Sequence, residues 1–344
     1  MKSIYESICE NIKDGVLPDN FVLPPENSDS ILWAPGAIDG VYIYHMGHST
    51  TEKSIQNKIG KAINGISKGN FTQGERSFYE LTRKNSAISL VDDVQKYIID
   101  NQDKLNPRNI LTFAITVVTE SVHTECVKIG LEILEFFDSS QEGIREVIEN
   151  IGLFDEFTIF AAWCMRQWDN GNEEIFKLAK KVSGWGKIHA IELLEPETKE
   201  IREWLLTDGV SNGVMAAYSA LTCWNKSDAE EILFNKPTLD EFKGIANIIE
   251  GLLDEGPVNG ILELENAKKI LFRFLEIAPE YELTADFRAL EDDFNAPELP
   301  PLSTWKGNVR VAAGITTIAE INWALESVYE IEWHLTNGTL TDAA

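Results

Sequence analysis

Apolar residues recur along most of this chain at intervals of three and four, the spacing that lines one face of an α-helix. Between Asp155 and Trp224 these segments follow one another with almost no spacer. Phe157, Ile159, Phe160, Ala161, Cys164, Met165 and Trp168 form one stripe, closed by Asn170-Gly171-Asn172. Asn172 is then placed to cap a helix through Ile175, Phe176, Leu178, Ala179 and Val182. That helix has Glu173 and Glu174 in its first turn, Lys180 and Lys181 in its last, and Gly184 past its end. Ile188, Ala190, Ile191, Leu193 and Leu194 mark the next. Pro196 stands at the first-turn position of another, through Ile201, Trp204, Leu205 and Leu206 to Asp208-Gly209. A further pair covers Val214 to Leu221 and Asp228 to Phe234.

Superposing these segments places Ile133, Cys164, Leu193 and Ala220 in register, at separations of 31, 29 and 27 residues. Small residues recur around them, with Ala161, Ala190 and Ala217 permitting close helix approach. A drifting period of this length, built from two short helices, predicts an all-α fold of stacked hairpins, a HEAT-like α-solenoid or α-α superhelix. One hairpin cannot bury its own apolar face, so neighbours must stack. An irregular helical bundle is the alternative.

The flanking sequence is helical as well. Ile4, Ile8 and Ile12 share a face ahead of Gly15. Pro18 to Pro35 is an irregular connection whose hydrophobes pack on the body. Residues 39–47 read as a strand or a short helix, and the helix is preferred because no partner strand is visible. Stripes follow over Thr51–Ser67, Gln73–Lys84 and Ser86–Asn101. Asn106-Pro107 opens a helix paired with His123–Phe137, and Glu142 to Ile151 leads into the repeats. Thr238–Asp254 and Gly260–Ala278 are longer, and a short acidic segment, Leu283–Phe294, ends this part. The expected organisation is an N-terminal helical region (1–105), helical repeats (106–294), a Pro-rich linker (295–303) and a long C-terminal helix with its tail (304–344). That last helix, near heptad spacing, either caps the solenoid or pairs with a second copy.

Charge alters this picture most. The chain carries 56 acidic and 30 basic residues, a formal net charge of −26. Such a field argues against nucleic acid and anionic membrane surfaces as partners, and favours a basic protein surface, a polyamine or a metal cation. It is also the ordinary signature of a soluble acidic surface. No apolar run approaches the ~20 residues of a membrane span, and Met1 to Cys9 holds no signal-peptide core, so a cytoplasmic location is expected. Cys9, Cys126, Cys164 and Cys223 are scattered, which argues against disulfide or zinc frameworks.

Candidate chemistry is sparse. His45 and His48 form a His-x-x-His pair able to present two imidazoles to a metal, with Asp39 or His123 as possible third ligand. The bland reading is polar surface beside Tyr42 and Tyr44. Glu120-x-x-His123 has the spacing of a di-iron ligand pair, but that arrangement needs two such pairs and further carboxylates. No histidine is followed by Glu. No cofactor site is evident: Gly184-Trp185-Gly186-Lys187 lacks the spacing and hydroxyl of a phosphate loop and reads as a turn between helices, with Trp185 covering the neighbouring repeat. Trp163, Trp168, Trp185, His189, Trp204, Tyr218 and Trp224 concentrate in the repeats. They line an apolar pocket or a concave protein-binding groove, or else fill gaps between stacked helices.

Several runs carry a resemblance: Asp39-Gly-Val-Tyr-Ile-Tyr-His-Met-Gly47; Gly171-Asn-Glu-Glu-Ile-Phe; Gly184-Trp-Gly-Lys-Ile-His-Ala-Ile; Glu195-Pro-Glu-Thr198; and Ala217-Tyr-Ser-Ala-Leu-Thr-Cys-Trp224. Through them the chain, up to about Phe294, resembles a bacterial family that carries the name limonene hydroxylase. The resemblance implies a monooxygenase acting on a cyclic monoterpene, with NAD-linked alcohol dehydrogenase activity and a metal or redox cofactor. It assigns no catalytic residue. The residues themselves favour a non-catalytic protein-interaction scaffold. The monoterpene hydroxylase and a metal-dependent activity at His45 and His48 stand as alternatives.

Overall fold

Local side-chain capping sets where a few of the helices begin. Ser3 and Glu6 bond each other's backbone N–H groups at 3.1 Å each and start α1 (Ile4–Cys9). The Asn106 side chain accepts from Arg108 N and Asn109 N, with Pro107 at the first helical position. Thr238 and Glu241 form a second reciprocal box.

The computed structural model describes residues 2–18, 20–24, 33–46, 52–254 and 258–281. Among them the fold is all-α with no strand; an isolated antiparallel bridge joins Lys13 and Val16. After α1 come α2 (Ala37–Val41), which runs into a π-helical turn over Tyr42–Met46, α3 (Lys53–Ser67), α4 (Phe71–Thr82), α5 (Val91–Asn101), α6 (Pro107–Glu120) and α7 (Thr124–Leu134). Then follow α8 (Glu142–Gly152), α9 (Thr158–Met165), α10 (Gly171–Ala179) and α11 (Gly184–Leu193). The last are α12 (Lys199–Thr207), α13 (Ala217–Lys226), α14 (Ala229–Phe234), α15 (Leu239–Leu253) and α16 (Ala267–Tyr281). Residues 39–46 are thus helical. The expected segments at 283–294, 295–303 and 304–335 lie outside the described residues.

The chain divides into two units, Met1–Glu195 and one beginning at Pro196. In the first, α3 packs on α4, α5 and α6, α4 on α7, and α6 on α7, so helices on either side of residue 105 share one core. The centre is α9, which packs on α7, α8, α10 and α11. Of its eight residues all but Trp163 are buried, as expected of a helix that is apolar all round. In the second unit, α15 packs on α12, α13 and α14, and α14 on α16. Phe242 stacks between Phe274 at 5.0 Å and Tyr281 at 4.2 Å. No helix among the described residues is long and apolar enough to cross a membrane.

Tertiary contacts move several helix ends from where local signals put them. Asn172 lies inside α10 and caps nothing. Its amide instead bonds Glu195 in both directions, Nδ2 to O at 3.0 Å and Oδ1 from N at 2.8 Å, tying α10 to the end of the unit. Pro196 precedes α12, which starts behind Thr198, because the Thr198 hydroxyl accepts from Ile201 N at 3.2 Å. Gly184 to Lys187 is the first turn of α11 and not a connection between helices. Gly260–Ala278 is broken into a 3₁₀ turn over Ile261–Glu263 and α16.

Candidate functional site

Helix α7 carries a polar interruption in an apolar run: from Cys126 to Leu134 every residue is buried, and two of them are Lys128 and Glu132. Burying a charge is costly unless it is paired. Lys128 is paired three times. Its Nζ lies 2.8 Å from Asp39 Oδ2, 2.8 Å from Glu125 Oε1 and 2.6 Å from Glu156 Oε1, with Lys128 and Asp39 both fully buried.

Each carboxylate fastens a different segment to the ammonium. Asp39 belongs to α2. Glu125 Oε2 accepts from Ala87 N at 2.5 Å, in the turn before α5. Glu156 Oε2 accepts from Gly36 N at 2.7 Å, at the start of α2. Lys128 is therefore the node at which α2, the 86–90 turn and the 154–157 turn meet on α7. Burial acts against the ammonium, but Glu156, Asp39 and Glu125 together hold its pKa well above the ordinary lysine range. A lysine held protonated has no lone pair for Schiff-base chemistry. It also fills the place where a metal would sit among these carboxylates. Among the described residues no group of three or more His, Cys, Asp or Glu side chains is arranged to hold a metal ion.

A second layer lies over this node. Asp155 accepts from the backbone N–H groups of Ser183 and Gly186 and so caps α11 from a remote turn. That is why α11 starts at Gly184, where local signals point to a turn. Trp185 and His189 face α2 and the π-turn: Tyr44 lies 6.1 Å from Trp185 and 6.4 Å from His189, and Trp185 lies 6.0 Å from His189, between ring centroids. His189 is buried, and its Nε2 has no hydrogen-bond partner among the described residues. Residues 39–46 and 184–191 thus pack on each other here.

One ammonium cannot neutralise three carboxylates, so the buried centre favours an extra proton. Burial, reinforced by Glu156 and Glu125 and opposed by Lys128, pushes Asp39 up to about 7. Burial also pushes Asp155 up to about 7 against its two backbone hydrogen bonds, and lowers His189 to about 4 with the Lys128 charge adding to it. Unfolded carboxylates release their protons near pH ~4. The stability contributed by Asp39 and Asp155 is therefore full below pH ~4 and is lost as pH rises to about 7. Neutral His189 acts oppositely, its contribution being full above pH ~6.5 and lost towards pH 4. Two groups outweigh one, so these residues make the fold weaken from pH 5 to 8. Asp39→Asn is expected to flatten that slope in urea titrations at the two pH values; an unchanged slope would place the proton elsewhere.

Glu132, one turn further along α7, is buried with neither carboxylate oxygen hydrogen-bonded among the described residues. Burial, then Glu135 and Asp92, push it well above the carboxylate range. The isosteric Glu132→Gln is expected to stabilise the fold at pH 8, by about 1–3 kcal/mol, and to change little at pH 5. Thermal melts at both values check this, and destabilisation at pH 8 would mean an ionised, paired Glu132.

The first unit also has an open cleft where two successive hairpins end. The turn after α7 and the turn after α9 enclose about 380 Å³, lined among others by Glu135, Phe136, Asp138, Trp168 and Asp169. Trp168 is held by its Nε1–H, which donates to Ser139 Oγ at 2.8 Å, and the Arg145 guanidinium lies 4.5 Å from its ring centroid. A smaller apolar cleft of about 240 Å³ lies by Ile115, Leu134, Ile144 and Val147.

The residues singled out from sequence are dispersed. Trp185 and His189 come together in the layer over Lys128, Trp168 lines the open cleft, and Trp163 packs edge-on to Phe160 at 5.2 Å. Trp204, Tyr218 and Trp224 belong to the second unit, Trp224 buried and the other two half-buried. His45 is exposed on the π-turn, and His48 lies outside the described residues. Glu120 ends α6 whereas His123 precedes α7 and stacks on Tyr79 at 4.1 Å, so no helix face carries both. None of the sequence motifs points to the Lys128 centre; its one local signal is a Lys and a Glu four apart in an apolar run. Comparison of the chain with protein-family models, curated proteins and solved structures finds no match.

Proposed function

We propose that the protein is a non-catalytic, HEAT-like scaffold of stacked helical hairpins that binds a protein partner along an edge where consecutive hairpins end. The observation that carries this reading is the open cleft at the α7–α8 and α9–α10 turns, with exposed Phe136 at its rim. The Lys128 centre supports it as well. Lys128 and its carboxylates are engaged with one another and with backbone, which makes them a staple for α2.

The test has two arms. A photo-crosslinking residue at Phe136 is expected to join the chain to one discrete protein in cell extract, while the same residue at exposed Ile99 does not. The ultraviolet-visible spectrum and metal content of the purified chain form the second arm. Stoichiometric flavin, haem or iron would overturn the scaffold and favour the monoterpene hydroxylase.

A further inference from the structure

The two turns that form the cleft are equivalent in the repeat. Phe137-Asp138 and Trp168-Asp169 are 31 residues apart, the same separation as Ile133 and Cys164. Each hairpin end therefore carries an aromatic residue, half-buried Phe137 or buried Trp168, followed by an exposed aspartate, and both turns line one cleft. Glu135 adds a third carboxylate. Burial raises the pKa of Glu135, opposed by nearby Arg166 and by Gln95, whose Nε2 donates to Oε2 at 3.0 Å. Asp138 is exposed and accepts from the Ser140 hydroxyl and from Ser140 N, which together lower its pKa, so it stays ionised. Neither a lysine nor an arginine is among the lining residues.

The same indole shows what chemistry suits it. Arg145 lies over Trp168 and pairs with Glu149 at 2.8 Å and Glu174 at 2.9 Å, a guanidinium held by one aromatic ring and two carboxylates. The cleft lining offers that combination again, with exposed Phe136 and half-buried Phe137 beside the carboxylates. The volume of about 380 Å³ is at the lower end of small-ligand sites. The net charge of −26 draws cations towards it.

We propose that this cleft binds an arginine- or lysine-bearing peptide segment of a protein partner, the cationic head among Glu135, Asp138 and Asp169 and the apolar stem against Phe136 and Phe137. The assignment rests on the scaffold reading and names the chemistry of its partner. Hydrophobic stem and charged head are both used, which separates a long basic side chain from a bare inorganic cation.

The experiment is fluorescence anisotropy of the full chain with a short labelled peptide alternating arginine and glycine. The same peptide with citrulline for arginine serves as the uncharged control. Saturable binding of the arginine peptide is expected, weakening with salt, with citrulline much weaker. The Asp138→Asn/Asp169→Asn double variant should lose about tenfold or more in affinity, and Phe136→Ala should lose affinity through the stem. Asp103→Asn, which removes an exposed charge elsewhere in the unit, should stay within about twofold, since distant surface charges are screened. All of these positions are exposed, and matching melting curves confirm that the variants fold.

Equal losses from Asp103→Asn and the double variant would mean attraction to the general field, and the cleft assignment fails. Binding unchanged in the double variant, with exchange protection on another face, also sinks the assignment but leaves the scaffold standing. A stoichiometric redox cofactor sinks the scaffold whatever the peptide does.

Discussion

Replacing Lys128 by Met is expected to lower the unfolding free energy by about 3–5 kcal/mol, the cost of breaking a buried ion pair from one side. The variant leaves Asp39, Glu125 and Glu156 converging without a cation, two of them also bound to the backbone of other segments. Domain stabilities are only about 5–15 kcal/mol, so this is a large share of the total. The loss should be local before it is global: amide exchange should accelerate first in 36–46 and around Ala87. Neutralising the partners together, as Lys128→Met with Asp39→Asn, Glu125→Gln and Glu156→Gln, is expected to recover much of the loss, because an unpaired charge costs more than an uncharged cluster. Chemical denaturation of both variants decides the matter. A Lys128→Met chain as stable as the wild type would mean that the ammonium does not hold the fold together.

The second large effect is steric. Gly40 lies in α2 directly over Trp185, and a Cβ there would sit 2.2 Å from the indole Cε3. Neither group can yield easily, since Trp185 also packs by Tyr44 and His189, and Gly36 is held at φ 76° with its own Cβ direction against Asp155 O. Gly40→Val is expected to destabilise by about 1–3 kcal/mol or more, the range for overpacked cores, and to lift α2 off α11. Trp185→Ala alone should cost about 3–5 kcal/mol through the cavity it leaves. In the double variant the two costs should not add, because the added methyls enter the space the indole vacates. Simple additivity in melting experiments would show that Gly40 and Trp185 do not share this contact.

Both predictions fall on residues whose importance local pattern conveys poorly. In the sequence Asp39 is at most a third metal ligand for His45 and His48, and its partner Lys128 lies 89 positions away. Trp185 was expected to cover a neighbouring repeat, whereas its ring lies under Gly40. The clearest local legibility is at α6 and α15, where Asn106-Pro107 and Thr238 with Glu241 satisfy helix-end N–H groups from within a few residues. It fails at α11, whose end is capped by Asp155 from another turn.

Sequence alone determined that the described residues are helical and where most of their helices lie, because periodicity and capping act over a few residues. Tertiary structure alone decided which charges meet at Lys128, that α2 closes over α11, and that the turns after α7 and α9 share a cleft. Those outcomes depend on the angles at which helices cross and on burial, which shifts charge and protonation only once distant segments are in contact.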